Sequence, residues 1–308
     1  MPEPGFWERE GRSPVLGSLI ATTLIVALYS LAGNIVLLAY MLGDMRGFSS
    51  GDWIQLRHGI LDRYRSPILV LTMAFEFLFF GLGTYLLFRR WHGGSTRKRF
   101  RLGLPKPAAL PLAVLGAVGL FPLALFAGDI FSRAFPFLRE LERSSGGLVR
   151  AQSPGAWALV VAAICLTPAL FEEFLFRGYL QGTLSRGLKS PWSWILSGGF
   201  FALVHQNYIG LGALLVIGIY LAYVFDAGGS IWAGSLVHFL YNGAIVVLAN
   251  LDDHALLPWA FDADGLIRVR VVAAFLPLGA AGILALAALK RRRLAAPSPG
   301  AEAEVSAR

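Results

Sequence analysis

The sequence predicts an all-α polytopic membrane protein, a bundle of about eight transmembrane helices enclosing a polar cavity. Three observations carry that prediction. Hydrophobic residues form 56% of the 308-residue chain and charged residues 15%, with a mean hydropathy of +0.61, whereas a soluble domain carries about 25% charge. Apolar runs recur at close to the length a helix needs to cross a ~30 Å hydrocarbon core. Basic residues collect in short polar intervals between those runs, as the positive-inside rule describes.

The runs place helices at about 15–42, 67–88, 108–127, 156–182, 191–207, 209–226, 230–250 and 271–289. The first run is too long for a signal h-region, and the tail before it carries Glu3, Glu8 and Glu10 in place of a basic n-region. A retained first helix is therefore expected. The loop after the second run holds Arg89, Arg90, Arg97, Lys98, Arg99, Arg101 and Lys106, and the last run ends in Lys290, Arg291, Arg292 and Arg293. An even number of spans puts both clusters and both termini on the cytoplasmic side. Residues 129–145 mix apolar and charged positions and suggest an interfacial helix on the outer face. The expected organisation is a cytoplasmic tail (1–14), N-terminal helices and loops (15–150), a core bearing the polar motifs (151–250), an outer loop with the last helix (251–289), and a basic tail (290–308) that is too polar to fold.

The net charge of +8 and pI near 9.9 fit basic loops facing anionic lipid, so membrane lipid and not nucleic acid is the expected partner. The single Cys165 excludes an intrachain disulfide. It reads as a small apolar residue lining the bundle.

One stretch breaks the hydropathy. Residues 172–177 read Glu-Glu-Phe-Leu-Phe-Arg after a charge-free run from Ala156 to Phe171. Each charge at a membrane helix centre costs about 2.5–3.5 kcal/mol, so three cost on the order of 8–10 kcal/mol if all face lipid. Glu173 and Arg177 are four apart with the acid first, the favourable order for an ion pair on one helix face. Glu172, about 100° around the helix, is left as the available carboxylate and candidate general base. Pro168, one turn upstream, is placed to distort the helix toward a cavity.

Two histidines follow. Glu172 and His205 are equidistant from the polar turn at 185–191, so a helical hairpin sets them at one depth. His238 and Asn242 are four apart and share a face, where they can hold a water, a metal or an oxyanion. Glu76 is a further intramembrane carboxylate, expected to line the cavity or bind a neighbouring helix. His58, His92 and His254 fall in loops and receive no role. There is no His-Glu-x-x-His, no pair of intramembrane aspartates (Asp226 lies at a segment end), and no Gly-x-Ser-Gly context around Ser197 or Ser235.

Glu-Glu-x-x-x-Arg at 172–177, Phe-x-x-x-His at 201–205 and His-x-x-x-Asn at 238–242 together resemble the three motifs of the CAAX prenyl protease and bacteriocin-processing (CPBP) intramembrane protease family, which includes the eukaryotic type II CAAX prenyl endopeptidase. The resemblance covers roughly residues 155–250. It implies an intramembrane endopeptidase in which Glu172 and His205 activate water, His238 and Asn242 stabilise the oxyanion, and Glu173 and Arg177 fix the geometry. It implies a peptide or protein substrate, with C-terminal CAAX-type processing, bacteriocin or peptide maturation, or immunity as settings. The bacterial inner membrane is the expected location. Zinc is compatible with the resemblance, since Glu172, His205 and His238 could supply three ligands of an open site. With Glu172 a ligand and Glu173 paired, however, no carboxylate would remain as base, so metal-free glutamate–histidine chemistry is slightly preferred. The rival reading is a proton-coupled transporter or a non-catalytic scaffold or immunity protein. Transporters often show internal repeats, whereas here the three motifs all fall in the second half of the chain.

Overall fold

Among the described residues, eight apolar helices follow one another: α1 (Pro14–Asp44), α2 (Arg65–Trp91), α3 (Ala109–Ala134), α4 (Pro154–Gly187), α5 (Trp192–Val204), α6 (Leu211–Gly228), α7 (Ile231–Asn250) and α8 (Val269–Ala295). The computed structural model describes residues 6–44, 59–61, 63–135, 146–205, 210–251, 257–262 and 265–295. Local chemistry sets several helix starts. Ser153 and Ser230 accept hydrogen bonds from the backbone amides of Ala156 and Trp232, and Pro154 occupies the first turn of α4, the combination that satisfies orphan N–H groups at a helix start.

Seven of the eight are long and apolar enough to cross a membrane. The exception is α5, which has 13 residues and so spans ~20 Å. The segment expected at 191–207 is thus shorter than a full crossing. Hydropathy cannot see this end, because His205 stops the helix: its Nδ1 lies 2.6 Å from the carbonyl of Phe201 and satisfies one of the acceptors a helix C-terminus leaves open. The third helix is longer than expected and takes in 129–134 of the anticipated interfacial segment, while 136–145 lie outside the described residues. At the far end, α8 continues through the basic cluster to Ala295; 296–308 lie outside the described residues.

Small residues draw the helices together, as in many membrane bundles. A Cβ on Gly119 would sit 1.9 Å from the backbone nitrogen of Gly279, and one on Gly282 would sit 2.4 Å from that of Gly116. These two contacts fix α3 antiparallel to α8. Gly198 and Gly218 bring α5 and α6 equally close, and a Cβ on Gly198 would meet the Ile219 backbone at 2.6 Å. Contacts between helix ends sort into two faces. On one, Glu8 meets His92 (3.3 Å) and Arg186, the Ser230 hydroxyl donates to the Gly103 carbonyl (2.6 Å), and Lys290 pairs with Asp226 (2.6 Å). On the other, Asn250 accepts from the Ala151 amide (2.7 Å) and Asp129 from the Ile267 amide (2.9 Å). The chain crosses back and forth between these faces, and the described part of the N-terminal tail is docked: Trp7 stacks on Trp91 with ring centroids 5.0 Å apart.

Candidate active site

Helix α4 carries the charges at mid-length, and its backbone is loosened on both sides of Glu172 and Glu173. Turns of π-helix occupy Val161–Leu166 and Phe174–Gln181, a distortion that recurs at functional sites. Pro168 lies between them. Proline has no N–H to return to the carbonyl of residue 164, and the Asn242 amide supplies that hydrogen bond at 2.9 Å. Asn242 therefore fastens α7 to the weak point of α4.

Glu173 and Arg177 pair as their spacing predicts, Oε2 to Nε at 3.4 Å, with both side chains fully buried. The guanidinium also donates to the Gly218 carbonyl (3.1 Å) and lies 4.5 Å from the Phe201 ring centroid. The other oxygen of Glu173 is 3.0 Å from Nδ1 of His238. That contact was not foreseen: Glu173 braces α4 internally and also orients the histidine of α7.

His238 presents its opposite nitrogen, Nε2, to Glu172 Oε2 at 3.9 Å, and His205 Nε2 approaches the same oxygen at 3.4 Å. A carbonyl can only accept, so the 2.6 Å contact with Phe201 places a proton on His205 Nδ1 and leaves Nε2 facing Glu172. Phe201 lies between these groups, 4.2 Å from the His205 ring and 5.8 Å from that of His238. The three motif segments thus meet at one carboxylate. His92, expected to be idle in a loop, is buried beneath the N-terminal segment and shares a 3.0 Å hydrogen bond with Tyr179 of α4; only tertiary contact could reveal this. His58 and His254 lie outside the described residues. Ser197 donates its hydroxyl to the Phe176 carbonyl (3.0 Å), and Cys165 is buried.

Glu172 and His205 form the partition between two cavities. One, of about 350 Å³, lies against α1 and α2 and is lined by Tyr29, Ser30, Asn34 and Thr72. The other, of about 250 Å³, also receives Glu76, His238, Tyr241 and Asn242.

The donor set of Glu172, His205 and His238 has the chemistry of a zinc site, but its geometry does not fit one. Bonds of 2.0–2.1 Å in a tetrahedron require ligand atoms about 3.3 Å apart. The His205–Glu172 edge meets that and the 3.9 Å His238–Glu172 edge does not. Among the described residues, no group of three His, Cys, Asp or Glu converges as metal donors would.

The family described as type II CAAX prenyl endopeptidase Rce1-like matches residues 154–244, the stretch from the start of α4 into α7 that holds every residue of this constellation. This match supports the resemblance of residues 154–244 to the CPBP family. It is also similar to a Bacillus subtilis (strain 168) protein named "Putative membrane peptidase YdiL", with 25% identity over 144 residues, covering 46% of this chain and 58% of the relative. The match therefore spans less than two thirds of that protein. No solved structure matches the chain.

Proposed function

We propose that the protein is an intramembrane endopeptidase whose nucleophile is a water activated by Glu172 and His205. The observation carrying this reading is the approach of His205 Nε2 to the Glu172 carboxylate at 3.4 Å between two cavities. Both groups sit inside an otherwise apolar bundle. Glu172 takes the proton of the attacking water, and His205 Nε2 holds that water in line. As the carbonyl becomes tetrahedral, its oxygen acquires negative charge. With both ring nitrogens protonated, His238 donates one N–H to Glu173 and turns the other to the cavity, as Asn242 does its remaining amide hydrogen, and donors placed in advance stabilise the charge that develops there. Glu173 and Arg177 act through His238 and the helix backbone and are positioning residues. No step runs through a metal.

The substrate enters as a peptide segment at membrane depth, and the 350 Å³ cavity beside α1 and α2 has polar groups to receive its backbone. A C-terminal segment of a membrane-associated protein or a maturing peptide fits this site. The basic face, with the start of α1 and the end of α8, lies in the cytoplasm of a bacterial cell.

Comparative peptidomics of membranes from wild-type and Glu172→Gln strains tests the reading. A fragment present in the wild type and missing from the variant is expected. Identical fragment sets at equal protein levels would contradict it.

A further inference from the structure

Glu76 lies in α2, where the helix widens into a π-helical segment (Glu76–Gly83). Its side chain is 3% exposed and lines the 250 Å³ cavity together with Glu172, His205 and His238. Among the described residues that cavity has no Lys or Arg in its wall, and Glu76 Oε2 has no hydrogen-bond partner. Its other polar contact is with the hydroxyl of Thr167. A buried carboxylate without a cation is far costlier than the neutral acid.

Peptide hydrolysis needs such an acid. Amines leave only when the nitrogen gains a proton as the C–N bond breaks. We propose that Glu76 is the proton donor to the leaving nitrogen, a second catalytic carboxyl supplied by α2. This inference rests on the peptidase reading of the site. In the first step Glu172 removes a proton from water while the water oxygen bonds to the carbonyl carbon. In the second the C–N bond breaks, its electron pair passes to nitrogen, and the Glu76 O–H proton goes to that nitrogen. Glu172 then holds one proton and Glu76 lacks one. Transfer from the first to the second through the shared cavity restores the starting state.

The test uses the full chain in liposomes and the peptide whose cleavage disappears in the Glu172→Gln strain. That peptide is compared with a nitrophenyl ester of its acyl part, whose phenolate departs without a proton. Glu76→Gln is expected to lower kcat on the peptide by about 10²–10⁴-fold, the range for a lost general acid, with KM unchanged and the ester hydrolysed at the wild-type rate. Glu76→Asp keeps an acid and should recover part of the peptide activity, which separates the proposal from a folding defect. Equal loss on peptide and ester, or full peptide activity in Glu76→Gln, overturns the role of Glu76 alone. A wild-type protein that cleaves neither compound overturns the peptidase reading and this proposal with it.

Discussion

Arg177 and Glu172 are five residues apart and both buried, yet their removal should have opposite consequences. Arg177→Ala leaves the fully buried Glu173 without its cation and the Gly218 carbonyl without a donor. Breaking one partner out of a buried pair typically costs about 3–5 kcal/mol, and chemical unfolding in detergent micelles should register a loss of that order. Glu172→Gln removes a charge that faces two cavities, and the same measurement should find its stability close to wild type. Comparable unfolding of both variants would argue that Glu172 is a structural residue. The Glu173–Arg177 pair was legible from a four-residue spacing, and the level of Glu172 with His205 from their equal distance to a turn. The second contact of Glu173, with His238, was not legible. It joins residues 65 apart, and nothing in the local pattern of either helix encodes it. A second prediction concerns zinc. The 3.9 Å edge between His238 and Glu172 is too wide for a tetrahedral ion, so elemental analysis of active, detergent-purified protein should find far less than one zinc per chain. About one zinc per chain, lost with activity on chelation and restored with it, would contradict the metal-free account.

Helices here are held at distances that glycine sets. Gly119 of α3 has no room for a Cβ against Gly279 of α8, whereas Gly33 of α1 has nothing within 4 Å. Gly119→Ala should therefore destabilise the protein by about 1–3 kcal/mol, the usual cost of overpacking, and Gly33→Ala should be neutral or slightly stabilising through helix propensity. Thermal unfolding of the two variants checks this pair directly, and equal behaviour would argue against the close α3–α8 crossing. Hydropathy found every helix of the bundle but could not measure them. It lengthened α5 beyond Val204 to 207, past an end that a hydrogen bond of His205 sets, and it stopped α3 at 127 because Asp129 and Arg133 look like a boundary. Helix length in both cases is decided by hydrogen bonding and packing, in α5 by a histidine that closes its own last turn.

At the scale of the whole molecule, the alternation of eight helices gathers the basic loop after α2, the end of α8 and the N-terminal segment on one face. Single cysteines in a Cys165→Ser background test this arrangement in whole cells. Ser95→Cys and Gly11→Cys should be labelled only after the cytoplasm is opened, and Ser153→Cys from the outside. Labelling of Ser95→Cys and Ser153→Cys from the same side would refute the alternation. Glu76 belongs to no motif, but a lone carboxylate in an apolar run is legible as a cavity-lining candidate, and the folded bundle brings it to the cavity of Glu172.

The central claim is that Glu172 activates water for peptide hydrolysis inside the bundle. The most direct measurement is cleavage of the identified membrane peptide by purified protein in liposomes, for the wild type and for Glu172→Gln at matched folded concentration. The account predicts steady cleavage at a single bond by the wild type and none above background by Glu172→Gln, although the variant remains folded and inserted. Cleavage by Glu172→Gln at a rate near that of the wild type would contradict it.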